Sequence, residues 1–429
     1  MRFSALPNPR AFIKAPTYTR RVFLTFLLIY LFLFLCARYK SHRDPTSAFF
    51  QPKKGYLTAY SDIRFNQAQD FIEQVNNQTN SHAAWRSSDR PNLCVGVATV
   101  ARKGARYFKS AVGSILEGLS EAERADLHLI LFVAHTDPTQ HPAYREPWLR
   151  EVADEVLLYD PSTVNITRIH ELESDEHKLY AREKALFDYT YLLKACHAVN
   201  APYIVMLEDD VLAIDGWYHR TQSAIADTER QMKAKTESKW LYLRLFYTEQ
   251  FLGWNSEEWP SYLFFSLLID IVLLSALLTL KSRYPHHLPP DTIFLATALC
   301  TPLLIGLFFA AGRVTMLPIP AGVHEMPKFG CCSQAFVFPR SRIPDLIQLY
   351  ESKKVGYVDM LTEEYADAHG EIRWALTPSI VQHMGRKSSK NFDMNQPKLS
   401  GGVTELWNFA FETNEPDLLR VEHEGILHS

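Results

Sequence analysis

The chain has 429 residues, of which 47% are hydrophobic and 22% are charged, enough for one substantial globular domain together with membrane segments. The formal net charge is -3 and the basic residues are dispersed, which excludes the electrostatic footprint of a nucleic-acid-binding protein. The six cysteines are too few for a disulfide-dense scaffold, and they lack the paired CxxC spacing of a zinc site.

The first apolar segment covers residues 22–37, and the stretch before it contains basic residues but no acidic residue. By the positive-inside rule, this arrangement predicts a membrane span with a cytosolic N-terminus. The segment is shorter than the roughly 20 residues of a typical span, which suits a thin membrane of the early secretory pathway. A cleaved signal peptide is the alternative, although no A-x-A-like cleavage site follows the segment.

Two further apolar segments, residues 261–280 and 292–312, each have the length of a bilayer span and are joined by a short linker. They predict a transmembrane hairpin. The linker contains Lys281 and Arg283 and should face the cytosol, so both flanking soluble segments should be lumenal. Asn77 and Asn165 begin N-glycosylation patterns on that side. A pair of buried helices in a soluble core is the alternative.

The soluble sequence alternates strand-like and helix-like patterns from Leu93 onward, which predicts an α/β domain with a largely parallel sheet. The runs WLYLRLF and QAFVFP, on either side of the hairpin, are expected to be adjacent strands. The predicted organisation is a cytosolic tail (1–21), a first span (22–37), a lumenal stem (38–90), the first part of the domain (91–259), a second span (260–280), a cytosolic linker (281–291), a third span (292–312) and the second part of the domain (313–429).

Three consecutive carboxylates, Glu208, Asp209 and Asp210, follow the apolar run YIVML, which has the pattern of a buried parallel strand. Ligands of open α/β sheets bind at the carboxyl ends of the strands. Carboxylate oxygens suit Mg²⁺ or Mn²⁺, which keep positions open for the oxygens of a substrate diphosphate. The triplet therefore predicts a metal-assisted diphosphate site, with a solvated turn as the alternative.

Several stretches resemble the GT-A glycosyltransferases, which are Rossmann-like, of the branching N-acetylglucosaminyltransferase IV type. In chain order they are LCVGVATVARKGARYFKSAVGSIL, AREKALFDYTYLLKAC, YIVMLEDDV, FGCCSQAFVFP, VDMLTEEYA and TPSIVQHMGRKSS. A domain of this kind that is split by a transmembrane hairpin, with one further N-terminal span, resembles a narrower family, the post-GPI-attachment GalNAc-transferases. Single-span branching enzymes lack the hairpin.

The resemblance implies that Asp210 is the principal metal ligand, with Asp209 as a further ligand and Glu208 beside Asp209 ordering the nucleotide and the metal-bound waters. His383 occupies the C-terminal position from which many GT-A enzymes make a second contact with the metal or the diphosphate. A purely structural role is the alternative for His383.

The resemblance also assigns a nucleotide-binding role to residues at the end of the first strand. Thr99, Val100 and Ala101 would hold the nucleobase, and Arg102 and Lys184 would approach the ribose or the phosphates. For Lys184 the alternative is a solvated position on a helix.

An inverting transfer needs a general base that takes the proton of the acceptor hydroxyl. Resembling enzymes hold their base at a position like that of Asp359, where the alternative is a helix N-cap. Glu363 and Glu364 are the fallback candidates.

The pairing of the remaining cysteines stays open at this point. The adjacent pair Cys331 and Cys332 could form a disulfide with Cys94 or Cys196 in an oxidising lumen, or remain free thiols in the core.

The resemblance implies a Golgi enzyme that moves GalNAc, or a related sugar, from a UDP-sugar to the mannose core of a GPI anchor, with Mn²⁺ or Mg²⁺ as cofactor. Its expected partners are the UDP-sugar donor, a GPI-anchored protein or GPI glycolipid as acceptor, and the membrane, with no nucleic acid. An N-glycan branching N-acetylglucosaminyltransferase is one alternative. A non-catalytic membrane scaffold is an alternative of another class.

Overall fold

A computed structural model describes residues 17–77, 86–102, 107–174, 178–235, 238–285, 288–326, 332–384 and 406–427. Residues 1–16 of the predicted cytosolic tail, Thr79 of the first N-glycosylation pattern, and Cys331 lie outside the described residues. The chain forms two compact units, one made of residues up to Leu57 together with Glu249–Ile319, and one made of Thr58–Thr248 together with residues from Pro320 onward.

The first unit contains three helices that are long and apolar enough to cross a membrane, namely Thr17–Lys40, Trp259–Arg283 and Pro290–Ala310. We refer to them as the first, second and third apolar helices. The first is 24 residues long, so the helix extends beyond the short apolar run at both ends and reaches the length of an ordinary span. Inside this unit the hydroxyl groups of Thr19 and Thr292 lie 2.9 Å apart and link the first and third apolar helices.

The second unit is a mixed α/β domain around an eight-stranded sheet with the order β3-β2-β1-β4-β8-β6-β9-β7. A separate two-stranded sheet pairs β5 with β10. The strands are β1 (Leu93–Thr99), β2 (Leu127–Val133), β3 (Glu155–Leu157), β4 (Tyr203–Glu208), β5 (Val211–Ala213), β6 (Trp240–Arg244), β7 (Gly322–Glu325), β8 (Ala335–Pro339), β9 (Ile372–Thr377) and β10 (Val381–His383).

The expectation of a largely parallel sheet is correct for four of its seven neighbouring strand pairs. The strands β3, β2, β1 and β4 are parallel neighbours and β6 is parallel to β9, but β8 is antiparallel to both β4 and β6, and β7 is antiparallel to β9. The chain leaves the unit after β6 and returns just before β7. The chain makes no crossover within the unit between these two strands. Strand β7 therefore starts at the end of the sheet at which β6 stops. The expected adjacency of WLYLRLF and QAFVFP is confirmed by the β6–β8 pairing.

The helices of the second unit are α1 (Tyr60–Asn76), α2 (Phe108–Leu116), α3 (Glu121–Ala125), α4 (Trp148–Val152), α5 (Ile166–Ser174), α6 (Lys178–Ala198), α7 (Trp217–Lys233), α8 (Ile343–Lys353), α9 (Val358–His369) and α10 (Pro416–Leu427). Helix α1 lies in the stretch expected to be a stem. It packs closely on α2 at Gly113. A methyl group added to Gly113 would lie only 2.3 Å from the carbonyl oxygen of Ala68 on α1. Part of that stretch therefore belongs to the folded unit.

Alternate residues of the central strands enter hydrophobic clusters on opposite faces of the sheet, as the period of two requires. Val95 belongs to one cluster and Cys94 to the other. Cys94 forms a disulfide with Cys196 of α6. The expected pairing of Cys94 or Cys196 with the later cysteine pair is therefore wrong, and Cys332, which is also disulfide-bonded, is not a free thiol.

A buried ion pair ties the start of β2 to the segment before β3. Arg124, whose side chain is 2% exposed, lies 3.0 Å from Asp154 and donates to the carbonyl oxygens of Leu127 and Val152. Asp154 also accepts the backbone N–H of Leu129 at 2.7 Å. The ion pair therefore holds the start of β2 next to the segment that leads into β3.

We expect Asp154→Ala to lower the free energy of unfolding by about 3 kcal/mol, because it leaves the Arg124 charge buried without a partner. Thermal unfolding of the detergent-solubilised chain measures the change. Glu155→Ala, at the adjacent and exposed position, is the matched control and should change stability little. Equal effects of the two substitutions would contradict the role of the buried pair.

Candidate active site

The site is built at the carboxyl ends of β1 and β4, which are parallel neighbours. Strand β4 ends at Glu208 and β1 ends at Thr99, so both chain segments emerge at the same edge of the sheet. Directly after β4, β5 pairs with β10, and the register places His383 opposite Val211. This short pairing brings a C-terminal residue to the carboxylates that follow β4.

Glu208, Asp210 and His383 form a group that could hold a metal ion, because their ligand atoms all lie within 4.8 Å of one another. His383 Nε2 is 3.6 Å from Asp210 Oδ2. The other oxygen, Asp210 Oδ1, is buried and has no hydrogen-bond partner among the described residues. A buried carboxylate oxygen without a donor is unfavourable unless a cation satisfies it. These residues therefore fit Mn²⁺ or Mg²⁺.

His383 is oriented for this role by its second ring nitrogen. The Nδ1–H group donates to the carbonyl oxygen of Leu406 at 3.2 Å, so in the neutral ring Nε2 carries the lone pair and faces Asp210. Burial disfavours the charged imidazolium, but the charge and hydrogen bond of Asp210, together with the charge of Glu208 and the hydrogen bond to Leu406, outweigh burial and raise the pKa of His383. A metal ion held by Nε2 would have to displace a proton.

The pKa values of the two aspartates of the triplet are shifted in opposite directions. Burial favours the protonated form of Asp210, but the charge and hydrogen bond of His383, together with the charge of Arg102 and a backbone hydrogen bond, outweigh it and lower the pKa of Asp210 to about 2. Burial raises the pKa of Asp209 to about 6, with Arg102 opposing this shift. Asp210 is therefore ionised throughout the neutral range, as a metal ligand must be.

Asp209 is turned toward other partners. Its Oδ2 accepts the hydroxyl hydrogen of Thr99 at 2.6 Å, and its Oδ1 lies 2.6 Å from the guanidinium of Arg102. Arg102 also reaches Asp210 Oδ2 at 3.2 Å. The structure thus groups Glu208, rather than Asp209, with Asp210 and His383. Asp209 holds the end of β1 and fixes Arg102 beside the metal-capable group.

His141 is a site residue that sequence reasoning missed. The backbone N–H of Ala143 donates to His141 Nδ1, so Nε2 carries the hydrogen and donates to the Thr99 hydroxyl at 3.1 Å. That hydroxyl in turn donates to Asp209. Burial lowers the pKa of His141 to about 4, which keeps the ring neutral. No sequence motif marks this residue, which follows β2 by a loop.

A cavity of about 410 Å³ opens beside the metal-capable group. Its lining includes Arg102, Glu208, Asp210, His383 and Asp359. Tyr189 also lines the cavity, and its hydroxyl group is buried and has no hydrogen-bond partner among the described residues. The cavity is thus lined by cationic, carboxylate and hydroxyl-bearing residues, as a site for a polar ligand requires.

Asp359 is held in place by backbone groups. Its Oδ2 accepts the N–H of Cys332 at 3.0 Å, and its Oδ1 accepts the N–H of Met360 at 2.9 Å. Tyr357 is the N-cap of α9, so Asp359 lies inside the first turn and the N-cap alternative does not apply. Asp359 is therefore available to the cavity as a fixed carboxylate.

The structure places the two fallback carboxylates elsewhere. Glu363 accepts the Tyr242 hydroxyl and pairs with Arg244 at 3.1 Å and Arg373 at 2.6 Å, and it is not part of the cavity lining. Glu364 is exposed and lies 3.7 Å from Lys353. Neither residue is brought to Asp210 and His383.

Lys184 is likewise directed away from the cavity lining. Its ammonium group donates to the carbonyl oxygen of Ala134, the hydroxyl of Tyr159 and the carboxylate of Asp188, at 2.7 to 3.0 Å. These three acceptors use all the donors of an ammonium group. Lys184 is buried rather than solvated, contrary to the alternative considered for it, and it secures α6 against the segment after β2.

The predicted nucleobase residues line a second cavity, of about 570 Å³. Thr99, Val100, Ala101 and Arg102 form one side of it. The aromatic rings of Tyr107, Phe108, His141 and Trp148 contribute to the rest. Thr99, Val100, Arg102 and Asp209 line both cavities. The two cavities therefore meet at the end of β1.

Comparison with known proteins matches residues 93–382 to the family described as GPI-N-acetylgalactosamine transferase PGAP4. The matched range is more than half of the chain. The chain belongs to this family. The predicted resemblance to the post-GPI-attachment GalNAc-transferases is thereby confirmed, and the chain is a member of a glycosyltransferase family. The matched range of this PGAP4 family member begins at β1 and ends at Gln382, immediately before His383.

A curated relative of this PGAP4 family member is the alpha-1,3-mannosyl-glycoprotein 4-beta-N-acetylglucosaminyltransferase A of Xenopus tropicalis. The two sequences are 25% identical over 136 residues, which are 30% of this chain and 25% of the relative. The match thus spans about a quarter of the relative's length. The expected relation to the N-acetylglucosaminyltransferase IV type is confirmed at this level.

Proposed function

We propose that this chain is a metal-dependent glycosyltransferase that moves GalNAc, or a related sugar, from a UDP-sugar to the mannose core of a GPI anchor. The observation that carries the proposal is the group of Glu208, Asp210 and His383, which shares one cavity with Asp359 in a member of the GPI-N-acetylgalactosamine transferase family.

The two cavities suggest where the parts of the UDP-sugar donor bind. The aromatic second cavity suits the nucleobase, which stacks on rings, and the first cavity suits the diphosphate and the sugar. Arg102 lines both cavities and is fixed by Asp209, so its charge lies where the diphosphate would pass between them. The proposal therefore keeps the donor-binding role expected for Thr99, Val100, Ala101 and Arg102. It does not include Lys184.

The proposed transfer has two parts, the departure of the nucleoside diphosphate and the attack of the acceptor hydroxyl. Bound Mn²⁺ or Mg²⁺ supplies positive charge that neutralises the departing nucleoside diphosphate. Glu208, Asp210 and His383 would hold the ion, and Arg102 adds a fixed positive charge beside it. Asp359 accepts the proton of the acceptor hydroxyl as that oxygen attacks the sugar carbon, and the product has inverted configuration.

The membrane arrangement is also part of the proposal. We place the N-terminus in the cytosol, the three apolar helices across the Golgi membrane, and the α/β unit, with a GT-A fold split by the second and third apolar helices, in the lumen. The supporting observation is the charge pattern of the sequence, with basic and no acidic residues before the apolar run 22–37, and Lys281 and Arg283 in the last turn of the second apolar helix.

A second candidate is N-glycan branching, because the Xenopus relative is named as a mannosyl-glycoprotein N-acetylglucosaminyltransferase. One experiment separates the two: purified protein with Mn²⁺ is given a panel of UDP-sugars, each with a GPI glycan or an N-glycan as acceptor. Transfer of GalNAc to the GPI glycan supports the proposal. Transfer of GlcNAc to the N-glycan alone would replace it with the second candidate, and no transfer or donor hydrolysis would favour a scaffold.

Replacement of residues 261–312 by a flexible Gly/Ser linker tests whether the acceptor lies at the membrane. We expect donor hydrolysis to remain largely unchanged, and transfer to membrane-bound GPI-anchored acceptors to fall by about tenfold or more, because the hairpin would limit the orientations of enzyme and acceptor. Radiolabelled sugar transfer in detergent-free vesicles measures the effect.

The control for this replacement is a soluble GPI glycan fragment, which should be glycosylated at an unchanged rate. Equal loss of hydrolysis and transfer would mean that the hairpin supports the fold. Unchanged transfer to the membrane-bound acceptor would remove the argument for a membrane-proximal reaction.

A further inference from the structure

A second cluster of metal-ligating side chains lies in the α/β unit, outside both cavities. It consists of Glu123 on α3, His219 on α7 and His423 on α10, whose ligand atoms all lie within 4.8 Å of one another. The three side chains are 8%, 11% and 2% exposed, respectively. None of the three residues lines either cavity of the candidate active site.

His219 has no partner that explains its position. Neither of its buried ring nitrogens makes a hydrogen bond among the described residues. The nearest carboxylate oxygen, on the half-exposed side chain of Glu422, lies 3.8 Å from Nε2. The ring packs against that of His423, with 5.1 Å between the ring centres. A buried imidazole with two unsatisfied nitrogens is unfavourable unless a ligand completes it.

His423 has the environment of a metal-bound histidine. Its Nδ1 lies 2.9 Å from Asp215 Oδ1, and its Nε2 lies 3.0 Å from Glu123 Oε2. Asp215 is itself held by Arg420 at 2.7 Å. A carboxylate that accepts the Nδ1–H of a histidine is the usual support for a metal-ligating imidazole, and here Nε2 faces Glu123.

We propose that Glu123, His219 and His423 bind one Zn²⁺ ion, with water or Glu422 in the fourth position. Two imidazoles and one carboxylate are ligands that zinc accepts, and tetrahedral zinc ligands stand about 3.3 Å apart. The three side chains need to move by only about 1.5 Å to reach that spacing. The ion would join α3, α7 and α10, which lie far apart in the sequence.

The test compares zinc binding by the detergent-solubilised full chain with binding by His219→Ala, His219→Gln and the neighbouring control Arg220→Gln. After treatment with a chelator and addition of Zn²⁺, the bound metal is counted by mass spectrometry. The unfolding midpoint is followed with and without zinc. Comparison between variants removes the contribution of any ion at Asp210.

We expect both His219 variants to bind about one zinc ion per chain fewer than the wild type and Arg220→Gln. Zinc at about 100 times its Kd should raise the wild-type midpoint by about 4 °C, and should not raise that of the variants. Without zinc the variants should unfold like the wild type, because His219 makes no hydrogen bond among the described residues. Equal zinc contents would overturn the proposal and leave His423 as an ion-pair partner only.

Discussion

Asp210→Ala is expected to reduce sugar transfer by roughly a thousandfold or more. Asp210 is the member of the triplet with a buried, unpartnered oxygen, and it shares one group with His383 and Glu208. Without this carboxylate the group would lose the ligand that it needs to hold a metal ion, and the charge that develops on the departing diphosphate would lose the compensation that the ion supplies. Initial rates of transfer and of donor hydrolysis, measured over a range of Mn²⁺ concentrations, give the effect.

The fold should tolerate this substitution, because loss of one carboxylate also relieves its repulsion of Asp209. The unfolding midpoint should therefore stay close to that of the wild type. Asp137→Ala is the matched control, since this exposed aspartate follows β2 at the same edge of the sheet and lines neither cavity. An Asp210→Ala enzyme with full activity would contradict the proposed metal site.

Asp359→Asn should lower kcat for transfer by about a hundredfold to ten-thousandfold, the usual contribution of a positioned general base. The amide keeps the shape of the side chain and can still accept the N–H of Cys332, but it cannot take up a proton. UDP binding should be unchanged, because Asp359 is not among the groups proposed to hold the nucleobase, the metal ion or the diphosphate. Rapid-mixing transfer assays and UDP titration separate the two quantities.

Glu364→Gln is the matched control for this prediction, because Glu364 lies on the same helix but is exposed. Its kcat should remain that of the wild type. If Glu364→Gln loses as much activity as Asp359→Asn, or if Asp359→Asn stays within about tenfold of the wild type, Asp359 is not the base.

The larger elements could be predicted from sequence because each carries its own periodic signal. Apolar runs mark β1, β2, β4 and β6, and each matches a strand of the structure. Strands β5 and β10 have three residues each, too few for a period of two to be visible. Helix α1 buries Ser61 and Arg64 along with its apolar residues, which obscures its amphipathic pattern.

The candidate site was only partly predictable for a related reason. The carboxylate triplet is contiguous, so its position after a strand was visible, but the partner of each side chain depends on distant segments. Thr99 and Arg102 fix Asp209, whereas His383 arrives through the β5–β10 pairing. The sequence did contain a signal for the correct group. Side chains alternate between two sides along an extended chain, which favours Glu208 and Asp210, two residues apart, on one side.

The position of β8 between β4 and β6 has a consequence for the order of biosynthesis. The ribosome completes β4 and β6 before it has made the second and third apolar helices, and β8 follows only after them. Until then, both strands present unpaired edges of the kind that invites aggregation. The α/β unit therefore stays incomplete until the second and third apolar helices have been synthesised. His383 comes later still, so a chain that stops before it lacks one of the three members of the metal-capable group.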